Sequence, residues 1–314
     1  MTTPLVTVLM PVYNGERFLV EAVDSILGQT FQDFEFVIVD DGSTDGTAAL
    51  LGKVHDPRVR VLTQANGGMS AALNAGLATA VGIYVARMDQ DDMALPGRLA
   101  TQVSFLQENP GIAAVGSSFR TIDEQGRYQG SAIVLVGNAE LRRDLFVRCP
   151  FGHGTVMARR DVMMSVGGYD GTKWPAEDYD IWRRLMTTRN VANVPALLYD
   201  YRVYTGDRYT ERDARAVASV QDEVWSAGTV PALTLMEAAR DLRRYRKLTA
   251  SSSLDLLGAY VVQHWKLLRL LMLRGRYAEA IGLWPALLLG PWLAPRLLQR
   301  LRPIARKMTS KRLR

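Results

Sequence analysis

Along the first 120 residues, short β-branched apolar runs alternate with stretches whose apolar positions recur at helical spacing. Residues 5–13 (LVTVLMPVY), 34–40 (FEFVIVD), 59–63 (VRVLT) and 83–89 (IYVARMD) read as strands, most of them ending at Gly, Asn or Asp turn signals. Between the first two, residues 15–30 set Phe18, Leu19, Ala22, Val23, Ile26 and Leu27 on one helical face. A second helix carries Ala48, Leu50 and Leu51. A third, of small residues, covers 69–81, and PGRLATQVSFL begins a fourth. Strands alternating with helices predict βαβ units, hence an α/β fold with a Rossmann-like, mostly parallel sheet flanked by helices.

In such a sheet, ligands bind beyond the carboxyl ends of the strands. Four polar loops fall there in succession: PVYNGE, VDDGSTDGT, QANGGMS (with Asn66) and MDQDDM. One would be ordinary; four in a row predict a binding edge. From 150 to 204 the signals mix, and the expectation is a hairpin or extra strands plus a helix starting near Ala176. Glu177 and Asp178 then fall in its first turn, where the helix dipole favours negative charge. Beyond Tyr209 the chain turns helical and basic. This divides it into a catalytic region, 1–220, and a helical C-terminal region, 221–314.

The loops carry the candidate chemistry. Asp40 and Asp41 at a strand end can accept hydrogen bonds from a base N–H or ribose hydroxyls; alternatively Asp41, Ser43 and Asp45 cap the next helix. Asp89, Asp91 and Asp92 offer oxygen ligands only, a set suited to Mg²⁺ or Mn²⁺ shared with phosphate oxygens. The competing reading is a solvated acidic turn with Asp92 as a cap. Glu177, Asp178 and Asp180 could supply a general base, or simply first-turn charge paired with Arg183 and Arg184. His153 could contact phosphate, metal or acceptor, although a lone histidine is more often structural.

Composition narrows the setting. With 48% hydrophobic residues the chain can bury a full core, and its one cysteine, Cys149, excludes an intrachain disulfide and a cysteine-based zinc site. A reducing, cytoplasmic compartment fits, and the N-terminal apolar run reads as a strand rather than a signal peptide. Residues 231–314 hold 17 Lys/Arg against 4 Asp/Glu, while residues 1–230 hold 21 against 28. An acidic body with a basic tail suggests a cationic or metal-bound ligand and an anionic surface nearby. No nucleic-acid motif accompanies the basic residues, so a nucleic-acid partner is not expected. Residues 280–295 lack charge but contain Pro285, Pro291 and Pro295. As an ideal helix they would reach about 24 Å, short of a hydrocarbon core of roughly 30 Å. With Trp284, Trp292 and the basic tail behind them, they read as a peripheral anchor on anionic lipid, or else as a helical cover for the catalytic region.

Taken in order, VTVLMPVYN, DSILGQTFQDFEFVIVDDGSTDGT, NGGMSAALNAGLATAVGIYVARMDQDD, GHGTVMARR, GGYD, AEDYDIWRRL and YDYRV resemble the family 2 glycosyltransferases of the GT-A fold over about residues 5–205. The resemblance implies an inverting enzyme that moves a sugar from a nucleoside-diphosphate donor, a uridine diphosphate sugar by family precedent, to a glycan or lipid-linked acceptor hydroxyl. It implies that Pro11, Tyr13 and Glu16 line the nucleotide pocket and that Asp40 and Asp41 hold base and ribose, with Asn66 in the same nucleotide-binding set. Asp89 and Asp91 correspond to the family's metal-binding acid pair, for Mn²⁺ or Mg²⁺, and Asp92 to an acid that orients the site or meets the donor sugar. Asp178, with Glu177 beside it, corresponds to the general base. Two positions depart from the family pattern. Tyr204 stands where a histidine often follows YR-x, leaving Arg202 as a diphosphate contact, and Leu73 stands where many members carry arginine. A nucleotidyltransferase and a non-catalytic sugar-nucleotide-binding or scaffold protein are the alternatives. The first is disfavoured by PVYNGERF, which lacks a triphosphate-holding lysine, and the second by the intact carboxylate set.

Overall fold

A computed structural model describes residues 3–204 and 211–227. The chain divides into two compact units, Met1–Leu141 with Arg148–Ser226, and Arg142–Val147 with Ala227–Arg314. The first carries the sheet. Of the second, Arg142–Val147 and Ala227 are described; there the Val147 amide donates to the Asp144 carbonyl at 2.8 Å, closing a turn. The uncharged stretch 280–295 and the basic tail lie outside the described residues.

The sheet begins with β1 (Val6–Val12), β2 (Phe34–Asp40), β3 (Val59–Thr63) and β4 (Tyr84–Arg87), which pair in parallel in the order β3-β2-β1-β4. Every residue of β1 is buried, because both of its faces are covered. Val6, Val8, Met10 and Val12 join one apolar cluster with Leu19, Ala22, Val23 and Ile26 of α1 (Leu19–Leu27). Leu9 points the other way, toward α3 (Met69–Thr79). A two-sided strand reads as a continuous apolar run rather than an alternating one. Each such side chain contributes about 1.5–3 kcal/mol by leaving water. The approach of α3 is so close that a Cβ on Gly76 would stand 2.1 Å from Leu9 Cδ1. Leu73, the departure from the family's arginine, is fully buried in this helix. The short helix α2 (Thr47–Leu51) links β2 to β3.

Past β4 the sheet becomes mixed. A two-residue strand, β5 (Met93–Ala94), and helix α4 (Arg98–Glu108) lead into β6 (Ile112–Ile122), which forms a hairpin with β7 (Tyr128–Ala132). Helix α5 (Asn138–Asp144) follows, then β8 (Met157–Arg159), wedged antiparallel between β4 and β6. Helices α6 (Arg160–Ser165) and α7 (Glu177–Thr188) precede β9 (Asn190–Arg202), and α8 (Glu211–Ala227) ends the described chain. Strand β9 runs parallel to β6 and on its far edge takes β5 in antiparallel pairing. Of the hairpin or extra strands expected within 150–204, it is the extra strands that form, β8 and β9, because two helices intervene between them. The helix expected near Ala176 does form, with Ala176 immediately preceding its first residue.

Candidate active site

Register decides what the strand ends present. Val12 pairs with Asp40, Asp40 with Thr63, and Leu9 with Arg87. The residues just beyond, Tyr13, Asp41, the 64–68 loop and Asp89–Asp91, consequently share one edge of the sheet. Above that edge lies a cavity of about 780 Å³. Of the residues expected at the site, Pro11, Tyr13, Asp41, Asn66, Asp89, Asp91, His153, Glu177, Asp178 and Arg202 line it. Glu16, Asp40 and Asp92 do not.

Those three build the wall from behind. The Asp40 carboxylate accepts the Ser43 amide at 3.0 Å, and Glu16 accepts the Gly46 amide at 2.8 Å, so both fix the DDGSTDGT loop. Asp41 is held in the wall itself. It accepts Gln64 Nε2 at 2.7 Å and the Gly67 and Gly68 amides at 3.0 and 2.7 Å. The turn between them needs Gly42 at φ +75°, where a Cβ would meet the Asn66 amide nitrogen at 2.9 Å. Gln90, between the acids of the DQD loop, ties that loop to β1. Its side chain accepts the Tyr13 amide at 2.7 Å and donates to the Tyr13 carbonyl at 3.1 Å.

Asp89 pairs with the buried guanidinium of Arg87, and its amide donates to the Tyr199 hydroxyl at 3.1 Å. Asp91 accepts the Tyr204 hydroxyl at 2.5 Å, so the residue standing in for the family's histidine grips an acid of the loop. Burial and then the Asp91 bond push the Tyr204 phenol above its ordinary range. Asp92 is 1% exposed and accepts the Arg202 amide at 2.7 Å, while its second oxygen has no partner. Burial, then the charge of Asp91, pushes its carboxyl up to about 7. Arg202 commits three of its five N–H donors to the protein. Its guanidinium donates to the Asp91 and Asp123 carbonyls at 2.7 and 3.1 Å and to Glu21 at 2.8 Å, and it stacks 4.1 Å from the centre of Phe18. It bolts the acidic loop to β9.

The facing acids come from the start of α7, and the structure sorts them. Asp180 is 1% exposed and neutralised by Arg183 and Arg184, each at 2.8 Å. Glu177 and Asp178 instead line the cavity. Asp178 accepts the Tyr179 amide at 2.6 Å and Cys149 Sγ at 3.5 Å. Glu177 is buried with one oxygen unpartnered. Burial is the main cause that raises both carboxyls above their ordinary range. His153 sits in a 3-10 turn (His153–Thr155), its Nε2 3.0 Å from the Tyr169 hydroxyl. Burial, and then the charge of Arg87, holds its pKa well below the usual value, which keeps the ring neutral.

The residue that sequence reasoning missed is Arg87. It closes an otherwise apolar strand, YVAR, at the cavity edge, 5% exposed. A lone cation where a buried strand should stay apolar was the available signal. Asp89 and Asp91 bring two carboxylates to the cavity, and no group of three or more His, Cys, Asp or Glu among the described residues could hold a metal by itself. An oxygen-only pair suits Mg²⁺ or Mn²⁺ when oxygens of a ligand complete the shell.

A parallel α/β edge with an acid-rich loop after its fourth strand, facing further acids on a helix start, is the architecture of a GT-A glycosyltransferase. Residues 7–167 match the family model described as glycosyl transferase family 2, and the chain belongs to that family. It is 34% identical over 187 residues to EpsE of Bacillus subtilis, a match covering 58% of this chain and 66% of that protein. To the O-antigen biosynthesis glycosyltransferase WbnJ of Escherichia coli it is 31% identical over 218 residues, covering 68% and 84%. In fold it resembles residues 1–349 of S. aureus TarS, solved in complex with UDP-GlcNAc. The TM-score is 0.61 at 19% identity, covering 90% of this chain and 89% of that one.

Proposed function

We propose that this chain is an inverting, metal-assisted glycosyltransferase that moves a sugar from a nucleoside-diphosphate donor to an acceptor hydroxyl. The observation that carries the reading is the charge of the cavity wall. Among the described residues, five carboxylates, Asp41, Asp89, Asp91, Glu177 and Asp178, face it with two guanidinium groups, Arg87 and Arg202. Arg202 already commits three of its five donors to the protein. An anionic diphosphate can enter such a wall only with a cation that it shares with the protein. Asp89 and Asp91 would hold Mn²⁺ or Mg²⁺, and the chemistry that ion supplies when bound is stabilisation of the leaving diphosphate's growing charge.

The remaining work falls to the chain's own side chains. Asp41, fixed by three donors, and Asn66 frame the nucleoside end, beside Pro11 and Tyr13. Asp178 takes the proton of the acceptor hydroxyl as the new bond forms; its raised pKa brings it closer to the range where a general base is effective. Glu177 keeps the field on that wall negative, and neutral His153 braces the turn beneath it. A single displacement with one base and no covalent intermediate inverts the anomeric centre. The uridine nucleotide bound to TarS supports a uridine diphosphate sugar as donor, and the name of WbnJ supports a surface polysaccharide or glycolipid as product. Among the described residues no helix is long and apolar enough to cross a membrane. We propose that the basic region 231–314 brings the enzyme to an anionic lipid surface, where a lipid-linked acceptor would be met.

The test is a panel of nucleotide sugars assayed with Mn²⁺, with Mg²⁺ and with chelator. The expected result is cation-dependent transfer or slow donor hydrolysis with one or two donors, releasing the sugar with inverted anomeric configuration. Turnover that is indifferent to chelation, or product of retained configuration, overturns the reading.

A further inference from the structure

The guanidinium of Arg87 is in an unusual position for a buried cation. Its Nε makes no hydrogen bond among the described residues. Nη1 is in close ion-pair contact with Asp89, and the one hydrogen bond of Nη2 among the described residues is a long one to Met69 Sδ, at 4.0 Å. A guanidinium carries five N–H donors, and leaving buried donors unmade is costly. Its neighbour Arg98, also buried, shows the contrast: it donates to the Arg87 carbonyl at 2.6 Å and to Gln102 at 3.2 Å. Arg87 is thus held chiefly by charge, and the charge it meets belongs to one of the two carboxylates proposed to take the divalent ion. Its field also reaches the other wall, where it favours the ionised forms of Glu177 and Asp178 and disfavours protonation of His153.

We infer that Arg87 is the cavity's resident counter-cation, occupying Asp89 until a divalent ion arrives together with a nucleoside diphosphate. The inference rests on the metal-assisted reading above and deepens it. A free divalent ion must displace a guanidinium whose own donors would then lose the one ion-pair contact they make among the described residues. An ion that brings a diphosphate does not leave them bare, because phosphate oxygens accept from the freed guanidinium. Cation binding therefore becomes conditional on nucleotide, and the empty site resists loading with metal alone. Removing either member of a buried pair leaves the other charge uncompensated. Without Arg87, Asp89 and its neighbours should then attract a free divalent ion more strongly.

The experiment titrates the full chain with Mn²⁺ alone, following bound ion by electron paramagnetic resonance, and repeats it with UDP, GDP, ADP and dTDP. In the unaltered protein at least one nucleotide should tighten Mn²⁺ binding by about tenfold or more, equivalent to about 1.4 kcal/mol. Arg87→Met and Arg87→Gln should bind Mn²⁺ alone about tenfold more tightly than the unaltered protein, and Arg87→Lys, which keeps the charge, should not. Adding Asp89→Asn to Arg87→Met should abolish the gain. If Mn²⁺ binds through Asp89 but the neutral variants gain nothing, the counter-cation inference fails and the metal reading stands. If no protein binds Mn²⁺ under any condition, both fail. Should the neutral variants not fold, as judged by near-ultraviolet circular dichroism, the unaltered protein still decides. Tight Mn²⁺ binding that is indifferent to all four nucleotides overturns the inference.

Discussion

Asp178→Asn separates chemistry from architecture more sharply than any other single change. The amide keeps the shape of the carboxylate and one acceptor oxygen for the Tyr179 amide, 2.6 Å away. What it gives up is the contact from Cys149 at 3.5 Å, a thiol donor of small value, so the packing cost is at most about 1 kcal/mol. The charge works in the opposite direction. Burial raises the carboxyl above its ordinary range in the folded protein. The unfolded chain therefore ionises at lower pH, and the native state carries a penalty that is absent in acid and grows as pH rises past the unfolded value. A neutral amide removes that penalty at neutral pH, so the thermal midpoint should stay level or rise. Catalysis should instead fall by about 10²–10⁴-fold, the usual contribution of a positioned base. With the full chain, nucleotide release on transfer gives the rate, and calorimetry gives donor affinity, which should stay within about threefold. The acid limb of the rate profile should lie above the ordinary aspartate range and disappear in the variant. Turnover within about tenfold of the unaltered enzyme, or a loss matched by weaker donor binding, would remove Asp178 from the role of base.

Two further outcomes follow from other parts of the chain. Asp180→Ala, two positions on, removes the carboxylate shared by Arg183 and Arg184, which are 17% and 24% exposed and keep Glu223 and the Val166 and Gly168 carbonyls as their respective other partners; breaking a buried pair costs about 3–5 kcal/mol. Partial exposure of both arginines should reduce this to roughly 2–3 kcal/mol, read as a lower denaturant midpoint, and an unchanged midpoint would contradict the buried pairing. The full chain should co-sediment with anionic phospholipid vesicles at low salt, ignore neutral ones, and be released as ionic strength rises. Indifference to anionic vesicles would dispose of the lipid-surface role for residues 231–314.

Strands β1, β2 and β4 were legible because both faces of an interior parallel strand are buried, so Val6–Val12 and Phe34–Asp40 announce themselves as apolar runs, whereas the edge strand β3, with no buried residue, was legible from its β-branched residues. The loops after them follow from strand polarity alone. Division of labour within a loop did not follow. Asp40 and Asp41 are adjacent in sequence, yet one caps a turn and the other faces the cavity, because successive residues at a strand end point to opposite sides. Asp92 is hidden behind Asp91 because the turn at Gln90–Asp91 sends it back toward β9, where it accepts the Arg202 amide. Arg202 lines the cavity as expected, but its grip on Glu21 and the Asp91 carbonyl was not legible, because both lie more than 100 residues away in the chain. Strands β6 and β7 escaped notice because their turn, Asp123–Arg127, lies in a polar stretch with no strong apolar pattern around it.

The long-range fastening of the acidic loop also has a temporal side. The amide of Arg202 closes on Asp92 across 110 positions, and the Tyr204 hydroxyl reaches Asp91 across 113. During synthesis, the four parallel strands can assemble once residue 87 is free of the ribosome, well before β9 exists. For the time needed to add more than a hundred further residues, the nascent fold carries its acids on a loop that nothing yet holds down from that side. Competence to act therefore arrives late and abruptly, when the last strand docks. A polypeptide interrupted earlier would lack both fastenings, along with the Val194, Leu198 and Tyr199 side chains that β9 adds to the shared core.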